Sequence, residues 1–262
     1  MDTEKKALNI ENAVWDGAED DYGAACFQEG RDKQLVKPSL LLHSCCGPCS
    51  TAVVERLTKQ YRITIFFYNP NIYDGDEYER RRDAQIKFID QFNRSAGAEE
   101  QIALIEGIYE PEVFEQSAAG LEHEPEGGAR CTECFRLRLE KTAETAVMTG
   151  CDFFTTSLSV SPHKNHGLIA KLGNAISVRY GICFISDDFK KKDGYRRSVE
   201  LAAKYGLYRQ NYCGCRFAAG ACTETGGAET SVAAEHTADG AARAACACAE
   251  TGGAETSAEP EL

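Results

Sequence analysis

The chain has 262 residues and a formal net charge of −12, and 43% of its residues are hydrophobic. Its length suits one large domain or two small ones. No segment approaches the roughly 20 apolar residues that span a bilayer, and the N-terminus lacks the apolar core of a secretory signal. We therefore expect a cytoplasmic protein with no membrane partner.

The acidic charge is concentrated at the two ends of the chain. Residues 1–30 hold eight acidic and two basic residues, and residues 218–262 hold eight acidic residues and one basic residue. Residues 31–217 carry 25 acidic and 26 basic residues. Because the middle of the chain is nearly neutral, the overall acidity does not exclude an anionic partner.

Composition also divides the chain into three parts. Residues 1–37 are polar and acidic, and we predict a flexible extension there. After Phe217 the sequence consists mainly of Ala, Gly, Thr and Glu, and Ala221–Ser231 recurs imperfectly at Ala247–Ser257. Such a segment cannot bury enough apolar surface to offset its ordering entropy, so we predict a disordered tail over residues 218–262. Residues 38–217 form the predicted folded domain, and the cysteine groups described below lie in it.

Within that domain, strands alternate with helices. The predicted strands are Ser39–His43, Arg62–Tyr68, Gln101–Glu106, Phe153–Leu158 and Ile182–Ser186. The predicted helices are Ser50–Tyr61 with Ser50 as N-cap, Glu77–Asn93, Pro111–Ala119, Cys131–Met148, Asn165–Tyr180 and Gly194–Tyr205. This alternation indicates a single α/β domain with a mainly parallel sheet flanked by helices.

Thirteen cysteines are the most unusual feature of the composition. In a chain without an export signal, so many cysteines indicate metal or redox chemistry in a reducing compartment rather than a disulfide framework. Seven of them form three groups, namely Cys45, Cys46 and Cys49, then Cys131 and Cys134, then Cys213 and Cys215.

The first group lies where a predicted strand meets a helix, a position at which α/β proteins bind ligands. One tetrahedral zinc needs only four ligands, so seven sulfurs favour a cluster held by four thiolates together with a further metal or a reactive pair.

Two other functions stay open at this point. Cys46-Gly47-Pro48-Cys49 has the C-G-P-C pattern of thioredoxin-type oxidoreductases, which would make the chain a thiol–disulfide oxidoreductase. A zinc-stabilised nucleic-acid-binding protein would also use cysteine pairs. The first alternative leaves five of the grouped sulfurs without a purpose.

Basic residues form runs near predicted loops and helix starts, with tyrosines and phenylalanines among them. These runs are Arg80–Arg82, Arg136 with Arg138, and Lys190–Lys192 with Arg196 and Arg197. Such surfaces suit phosphates and bases, although a solvated helix face is the alternative for each run. Asp187 and Asp188 follow the fifth strand, where either carboxylate could act as a general acid, hold a metal or cap the next helix.

Several linked motifs resemble a known family, the cobalamin-independent epoxyqueuosine reductases (QueH family), over residues 39–217. The motifs are Leu42-His43-x-Cys45-Cys46-x-Pro48, Tyr68-Asn69-Pro70-Asn71-Ile72, Glu77-Tyr78-x-x-Arg81, Arg130-Cys131-x-x-Cys134-Phe135-x-Leu137-Arg138-Leu139, Phe154-Thr155-Thr156-Ser157-Leu158 with Ser161-Pro162, Asp188-Phe189-Lys190-Lys191-Lys192-x-Gly194-Tyr195, and Tyr208-Arg209-Gln210-x-Tyr212-Cys213-Gly214-Cys215. The resemblance implies a Rossmann-like fold similar to nucleotide-binding α-hydrolase-like proteins.

The resemblance also implies an activity, namely two-electron reduction of epoxyqueuosine to queuosine at the wobble position of a tRNA anticodon. It implies a [4Fe-4S] cluster beside a separately held mononuclear iron, and an electron donor whose identity the sequence does not give. Some members of the family carry aspartate at the position of Cys49, and a thiolate there is a softer ligand for the second metal. We hypothesise that the cluster supplies electrons while the iron acts on the epoxide oxygen as a Lewis acid.

On this resemblance we assign a role to each candidate residue. The cluster ligands are Cys46, Cys131, Cys134 and Cys215, and the ligands of the second metal are Cys45, Cys49 and Cys213. Cys45 and Cys49 would thus act at the reacting centre, and Asp188 or a tyrosine would supply a proton. The predicted tRNA-phosphate contacts are Arg81, Lys190, Lys191, Lys192 and Arg197.

Overall fold

The structure is a computed structural model that describes residues 37–219. It contains a five-stranded parallel sheet with strand order β3-β2-β1-β4-β5. The strands are β1 (Ser39–Ser44), β2 (Arg62–Phe67), β3 (Ala103–Glu106), β4 (Phe153–Thr156) and β5 (Cys183–Phe184). The predicted α/β fold with a mainly parallel sheet is confirmed. The flexibility predicted for the two ends concerns residues almost wholly outside the described range.

Helices connect the strands. They are α1 (Gly47–Leu57), α2 (Gly75–Ser95), α3 (Pro111–Ser117), α4 (Ala129–Met148), α5 (His166–Tyr180), α6 (Gly194–Lys204) and α7 (Arg216–Ala219). Short 3-10 helices cover Ala98–Glu100 and Ser157–Val160. Within residues 37–219, no helix combines the length and the apolar character that a membrane crossing requires.

Two apolar cores lie on opposite faces of the sheet, and β1 contributes to both. Leu40 and Leu42 pack with residues of α1, α2 and α6, whereas Leu41 packs with residues of α4 and α5. Side chains alternate between the faces of a strand, so a strand covered on both faces must be apolar throughout. This explains why all three leucines are fully buried.

The start of α1 differs from the sequence-based prediction. Ser50 is not the N-cap, because the helix begins at Gly47 and Cys46 occupies the capping position. Pro48 lies in the first turn, where its missing N–H costs no helical hydrogen bond. Ser50 lies inside the helix, and its hydroxyl donates to the carbonyl of Gly47 at 2.8 Å. The cysteine group is therefore carried by the first turn of the helix itself.

The strand order determines where a ligand can bind. From β1 the chain builds β2 and β3 on one side and later β4 and β5 on the other. A crevice forms between the carboxyl ends of two such neighbouring strands when their connections leave in opposite directions. Here those strands are β1 and β4. The residues that follow them meet at this point, since the N–H of Cys45 donates to the hydroxyl of Ser157 at 3.5 Å.

Candidate metal centre

Three sulfurs form a compact group at the carboxyl end of β1. The Sγ atoms of Cys45, Cys46 and Cys49 all lie within 4.8 Å of one another. Cys46 is buried, and Cys45 and Cys49 are half-buried. The close approach of α2 requires a glycine next to them, because a Cβ at Gly47 would lie 2.6 Å from the carbonyl oxygen of Ala84. The group can hold one metal ion.

The electrostatics of this group also favour a cation. Hydrogen bonds with Cys46 and Cys49 hold the pKa of Cys45 well below its usual range. The hydrogen bond with Cys45 raises the pKa of Cys46 to about 12, and hydrogen bonds with the other two raise the pKa of Cys49. Three thiolates this close repel each other, so without a cation only one ionises readily. A bound metal would stabilise all three thiolates.

A second group of sulfurs lies on the neighbouring side of the crevice. Cys134, in α4, packs with Cys213 and Cys215 around Phe114. Gly214 between the last two has a φ of 92°, and an added Cβ would come within 3.0 Å of the Arg81 guanidinium. Only glycine suits this backbone and this space. The sequence C-G-C therefore directs two sulfurs to one site.

Cys131 is placed differently from the other cysteine of its pair. It packs against the core that contains Phe135 and Leu41, as Cys45 also does. Its sulfur accepts a hydrogen bond from the N–H of Gly127 at 3.2 Å. Within the described residues, one set of three or more His, Cys, Asp or Glu side chains has all its ligand atoms within 4.8 Å of one another. That set is Cys45, Cys46 and Cys49. The division of the seven sulfurs between two metals therefore stays a prediction.

Arg138 is the most informative neighbour of the sulfurs. It is 1% exposed, and its guanidinium donates to the carbonyl oxygen and the sulfur of Cys134, both at 3.2 Å. Burial alone would lower its pKa, but the charges of Cys134, Cys213 and Cys45 outweigh burial and raise it. No carboxylate in residues 37–219 forms an ion pair with it. A buried cation needs a counter-charge. Burial raises the pKa of Cys134 to about 12, so this sulfur becomes the counter-charge once a bound metal stabilises its thiolate.

Lys164 adds a second cation to the same crevice. It is half-buried, and its Nζ lies 5.9 Å from the centroid of the Phe135 ring. Burial opposes its charge, whereas Cys213, Cys45 and Cys134 favour it, and its pKa is raised overall. Two cations facing the sulfurs fit an anionic thiolate–metal group.

His43, in β1, is a neutral structural residue. It is fully buried, and burial lowers its pKa to about 3. Its Nε2 lies 3.0 Å from the carbonyl oxygen of Tyr68 and its Nδ1 lies 2.9 Å from the hydroxyl of Thr156. A carbonyl only accepts, so Nε2 carries the proton and Nδ1 accepts from Thr156. His43 thereby connects the ends of three strands beneath the cysteines.

Four amides near the sulfurs each have one buried polar atom without a hydrogen-bond partner in the described residues. They are Asn69 Oδ1, Asn71 Oδ1, Gln85 Nε2 and Gln210 Oε1. Their other atoms bind the site, since Asn71 Nδ2 donates to the carbonyl of Cys213 at 3.4 Å and the hydroxyl of Ser44 donates to Gln85 Oε1 at 2.6 Å. Buried polar atoms are rarely left without partners. With the sulfurs and the two cations, they fit a pocket completed by a metal group and substrate.

The predicted proton donor and basic residues differ in how far the protein already binds their charged groups. Asp188 is half-buried, and its carboxylate accepts from the N–H of Lys190 at 3.3 Å in the turn before α6. The ammonium of Lys190 donates to the carbonyl of Lys164 at 3.0 Å. Lys191 and Lys192 are exposed, and neither ammonium has an ion pair within residues 37–219.

Arg81 and Arg197 are both engaged within the protein. Arg81 is 2% exposed, and its guanidinium binds Glu77 at 2.6 Å and the carbonyl of Cys213 at 3.0 Å. This position suits Arg81 to hold the Cys213 segment rather than to meet a phosphate. Arg197 is exposed and binds Glu55 and Glu200 at 2.8 and 2.9 Å. Of the predicted phosphate contacts, Lys191 and Lys192 are therefore the two whose side chains are exposed and have no ion pair within residues 37–219.

Sequence reasoning missed two residues of the centre. The sequence shows Arg138 close to Arg136 in a basic run that could lie on a solvated helix face. The spacing of four residues from Cys134 is the signal that places Arg138 and that cysteine on one face of the helix. Gln85 has no motif of its own, and only the tertiary packing of α2 against the cysteine turn brings it to Ser44 and Ser50.

Comparison with known proteins places this centre in a family. A family model described as "Epoxyqueuosine reductase QueH" matches residues 40–221. Curated relatives with that description include one from Staphylococcus epidermidis, 46% identical over 70% of this chain and 77% of its own length. Others come from Streptococcus pyogenes (45% identical, 72% and 73% covered) and Thermotoga maritima (35% identical, 68% and 89% covered).

Similarity to solved structures is much weaker. A structure described as a predicted subunit of tRNA methyltransferase from Methanocaldococcus jannaschii has 14% sequence identity and a TM-score of 0.41 over 64% of this chain and 74% of that chain. A likeness this remote carries no functional argument. The family model carries one, since its match spans the three cysteine groups and Arg138, and the curated relatives have the same description. This chain belongs to the epoxyqueuosine reductase QueH family.

Proposed function

We propose that this chain reduces epoxyqueuosine to queuosine at the anticodon wobble position of tRNA, in the cytoplasm, with a [4Fe-4S] cluster and a further iron. The reaction removes the epoxide oxygen: two electrons and two protons convert the epoxide to an alkene and water. The chain must therefore bind an RNA loop, deliver electrons from a donor and supply protons at one site.

The observation that carries this proposal is the buried Arg138 guanidinium between the sulfur groups. A thiol-only pocket would leave that charge without a counter-ion, at a cost of several kcal/mol. Thiolates that hold a metal group supply the negative charge. Family membership supports the same interpretation, since the family description names a reductase.

The proposed ligands follow the sequence-based assignment. Cys46, Cys131, Cys134 and Cys215 would hold the cluster, and Cys45, Cys49 and Cys213 the iron. When bound, such groups supply single electrons and Lewis acidity. Cys45 and Cys49 share one sulfur group, which also contains Cys46, and Cys134 and Cys215 share one packing cluster, which also contains Cys213.

The protein groups around the sulfurs would then bind and orient the reactants. The Asp188 carboxyl group is the proposed proton source. Lys191 and Lys192, in the turn before α6, are the proposed contacts with RNA phosphates, together with Lys190, Arg81 and Arg197, whose charged groups are already bound within the protein. Exposed lysines attract phosphates without sequence preference and release counter-ions on binding.

The two alternative functions are less well supported. A thioredoxin-type Cys46 would need to be an exposed thiolate, whereas it is fully buried and its pKa is raised to about 12. A zinc site could use Cys45, Cys46 and Cys49, but it would not account for the second group of sulfurs around Arg138.

The test is anaerobic incubation of the purified protein with a chemical reductant and tRNA that carries epoxyqueuosine. Mass analysis of the wobble nucleoside should show the loss of one oxygen atom. Protein stripped of metal by a chelator should give no product. Unchanged epoxyqueuosine with the metal-loaded protein would contradict the proposal.

A further inference from the structure

A cavity of about 650 Å³ opens beside Cys215. It lies between the loop that follows β2 and the segment that carries Cys213 and Cys215, and its volume is in the range of small-molecule sites. Its lining includes Tyr73, Tyr212, three carboxylates and one guanidinium. We propose that this cavity binds the modified base of the substrate, a flat heterocycle that carries a protonated amine. The proposal rests on the proposed function.

The walls of the cavity are fixed relative to the sulfur. The N–H of Tyr73 donates to the carbonyl of Gly214 at 3.0 Å, which ties the tyrosine to the residue before Cys215. Behind this loop, the hydroxyl of Tyr109 donates to the carbonyl of Ile72 at 2.9 Å. A base held against Tyr73 would therefore lie next to a proposed cluster ligand, without a rearrangement of the backbone.

Both tyrosines are positioned to stack on a flat ligand. Tyr73 is 58% exposed and Tyr212 is 38% exposed. Guanidinium groups support them, with Arg216 5.8 Å from the ring centroid of Tyr73 and Arg81 5.2 Å from that of Tyr212. A guanidinium near an aromatic ring is attracted to it, which helps to hold an exposed tyrosine in place. Stacking of a base on an aromatic ring contributes about 1–3 kcal/mol.

The charge of the cavity determines which part of an RNA it can accept. Asp74 caps α2, and Glu115 pairs with Arg216 at 2.9 Å. Glu112 is exposed, and its carboxylate has no ion pair or hydrogen bond within residues 37–219. Three carboxylates against one guanidinium repel phosphate and attract a cation. The base of epoxyqueuosine carries a secondary amine next to its ring, whereas guanine carries none, so Glu112 would distinguish the two bases.

The test uses two anticodon stem-loop RNAs, one with epoxyqueuosine and one with guanosine at the wobble position. Affinity for each is measured with the metal-loaded protein under anaerobic conditions and without reductant. Glu112→Gln should lower the preference for the epoxyqueuosine loop over the guanosine loop about fivefold, the change expected for one charge pair near a protein surface, while any gain in affinity from the lost negative charge is shared by both loops. Glu99→Gln, an exposed carboxylate at the other end of the sheet, is the matched control.

Tyr73 provides an independent measurement. Tyr73→Ala should weaken binding of both loops about tenfold, and Tyr73→Phe should keep wild-type affinity, because the ring and not the hydroxyl stacks. Wild-type affinity and preference in both Glu112→Gln and Tyr73→Ala would overturn the cavity proposal. In that case, continued reduction of epoxyqueuosine by the wild type would leave the proposed function intact. A wild type that neither binds nor reduces the epoxyqueuosine loop would overturn both.

Discussion

Polar side chains at the two ends of the sheet differ in whether the protein itself supplies their hydrogen-bond partners. At the amino end, the N–H and hydroxyl of Ser39 both donate to the carboxylate of Asp152, at 2.7 and 2.6 Å. At the carboxyl end, the Arg138 guanidinium donates to the sulfur and the carbonyl of Cys134 and has no ion pair within residues 37–219, and Asn69, Asn71 and Gln85 each have a buried atom without a partner in that range. At the amino end, Ser39 and Asp152 thus satisfy each other's hydrogen bonds without a ligand.

This difference indicates that polar residues at the amino end contribute mainly to stability, whereas those at the carboxyl end contribute to function. Polar groups that the chain satisfies by itself contribute to folding, whereas buried groups that await a partner cost free energy until a ligand binds. Substitutions at the amino end should therefore change the free energy of unfolding alone. Substitutions at the carboxyl end should also change metal content, RNA binding or reduction.

The largest effect is expected from the sulfurs. Cys134→Ser and Cys46→Ser should each abolish reduction of epoxyqueuosine in tRNA, because a hydroxyl is a poor substitute for a thiolate ligand. Iron content, measured on the same preparations, should fall with activity. Cys151→Ser is the matched control, since Cys151 precedes β4 at the amino end and should be neutral in both assays. Full activity in Cys134→Ser would remove that sulfur from the centre.

Arg138→Met is expected to have the next largest effect. Removal of one partner of a buried charge pair costs about 3–5 kcal/mol, so urea unfolding of the metal-loaded protein should show a loss of that order. Arg136→Met on the same helix is the control. Arg136 forms partly exposed ion pairs with Glu133 and Glu140, which are worth about 1 kcal/mol or less. Equal losses for the two variants would mean that Arg138 has no special counter-charge.

Asp152→Ala tests the amino end. The carboxylate accepts two hydrogen bonds from Ser39, and their loss should lower the free energy of unfolding by about 1–3 kcal/mol. Iron content and the rate of reduction should match the wild type under conditions where the variant is folded. A parallel loss of iron would break the separation between the two ends.

The smallest effect is expected from the exposed lysines. Lys191→Ala combined with Lys192→Ala should weaken tRNA binding several-fold and reduce the slope of log affinity against log salt by about 2, one unit for each lost phosphate contact. Lys59→Ala, an exposed lysine at the amino end, should leave the slope unchanged. If the double variant kept the wild-type slope of log affinity against log salt, Lys191 and Lys192 would not contact the tRNA phosphates.

Much of the fold was predictable because local patterns decide it. The apolar Leu40–Leu42 predicted a buried strand, and the alternation of strands with helices predicted the parallel sheet. The start of α1 was not predictable. The helix begins at Gly47, with Pro48 in its first turn and Gly47 in close contact with Ala84, so it includes Cys49. No local pattern signals a contact between α2 and that turn.

The candidate centre was predictable in part. The cysteine spacing identified the sulfurs, and the structure brings Cys45, Cys46 and Cys49 into one group. The burial of Arg81 and Arg138 could not be read from a sequence in which both stand among other basic residues. Which charges are buried depends on packing between distant elements, and that packing separates the buried guanidiniums from the exposed lysines.

The central claim is that thiolates at the carboxyl end hold an iron–sulfur group and a further iron. Iron, zinc and acid-labile sulfide should be measured on the same anaerobically purified preparation of the full chain. We expect a brown protein that contains sulfide, more iron than sulfide, and little zinc. A colourless protein that contains zinc alone would contradict it.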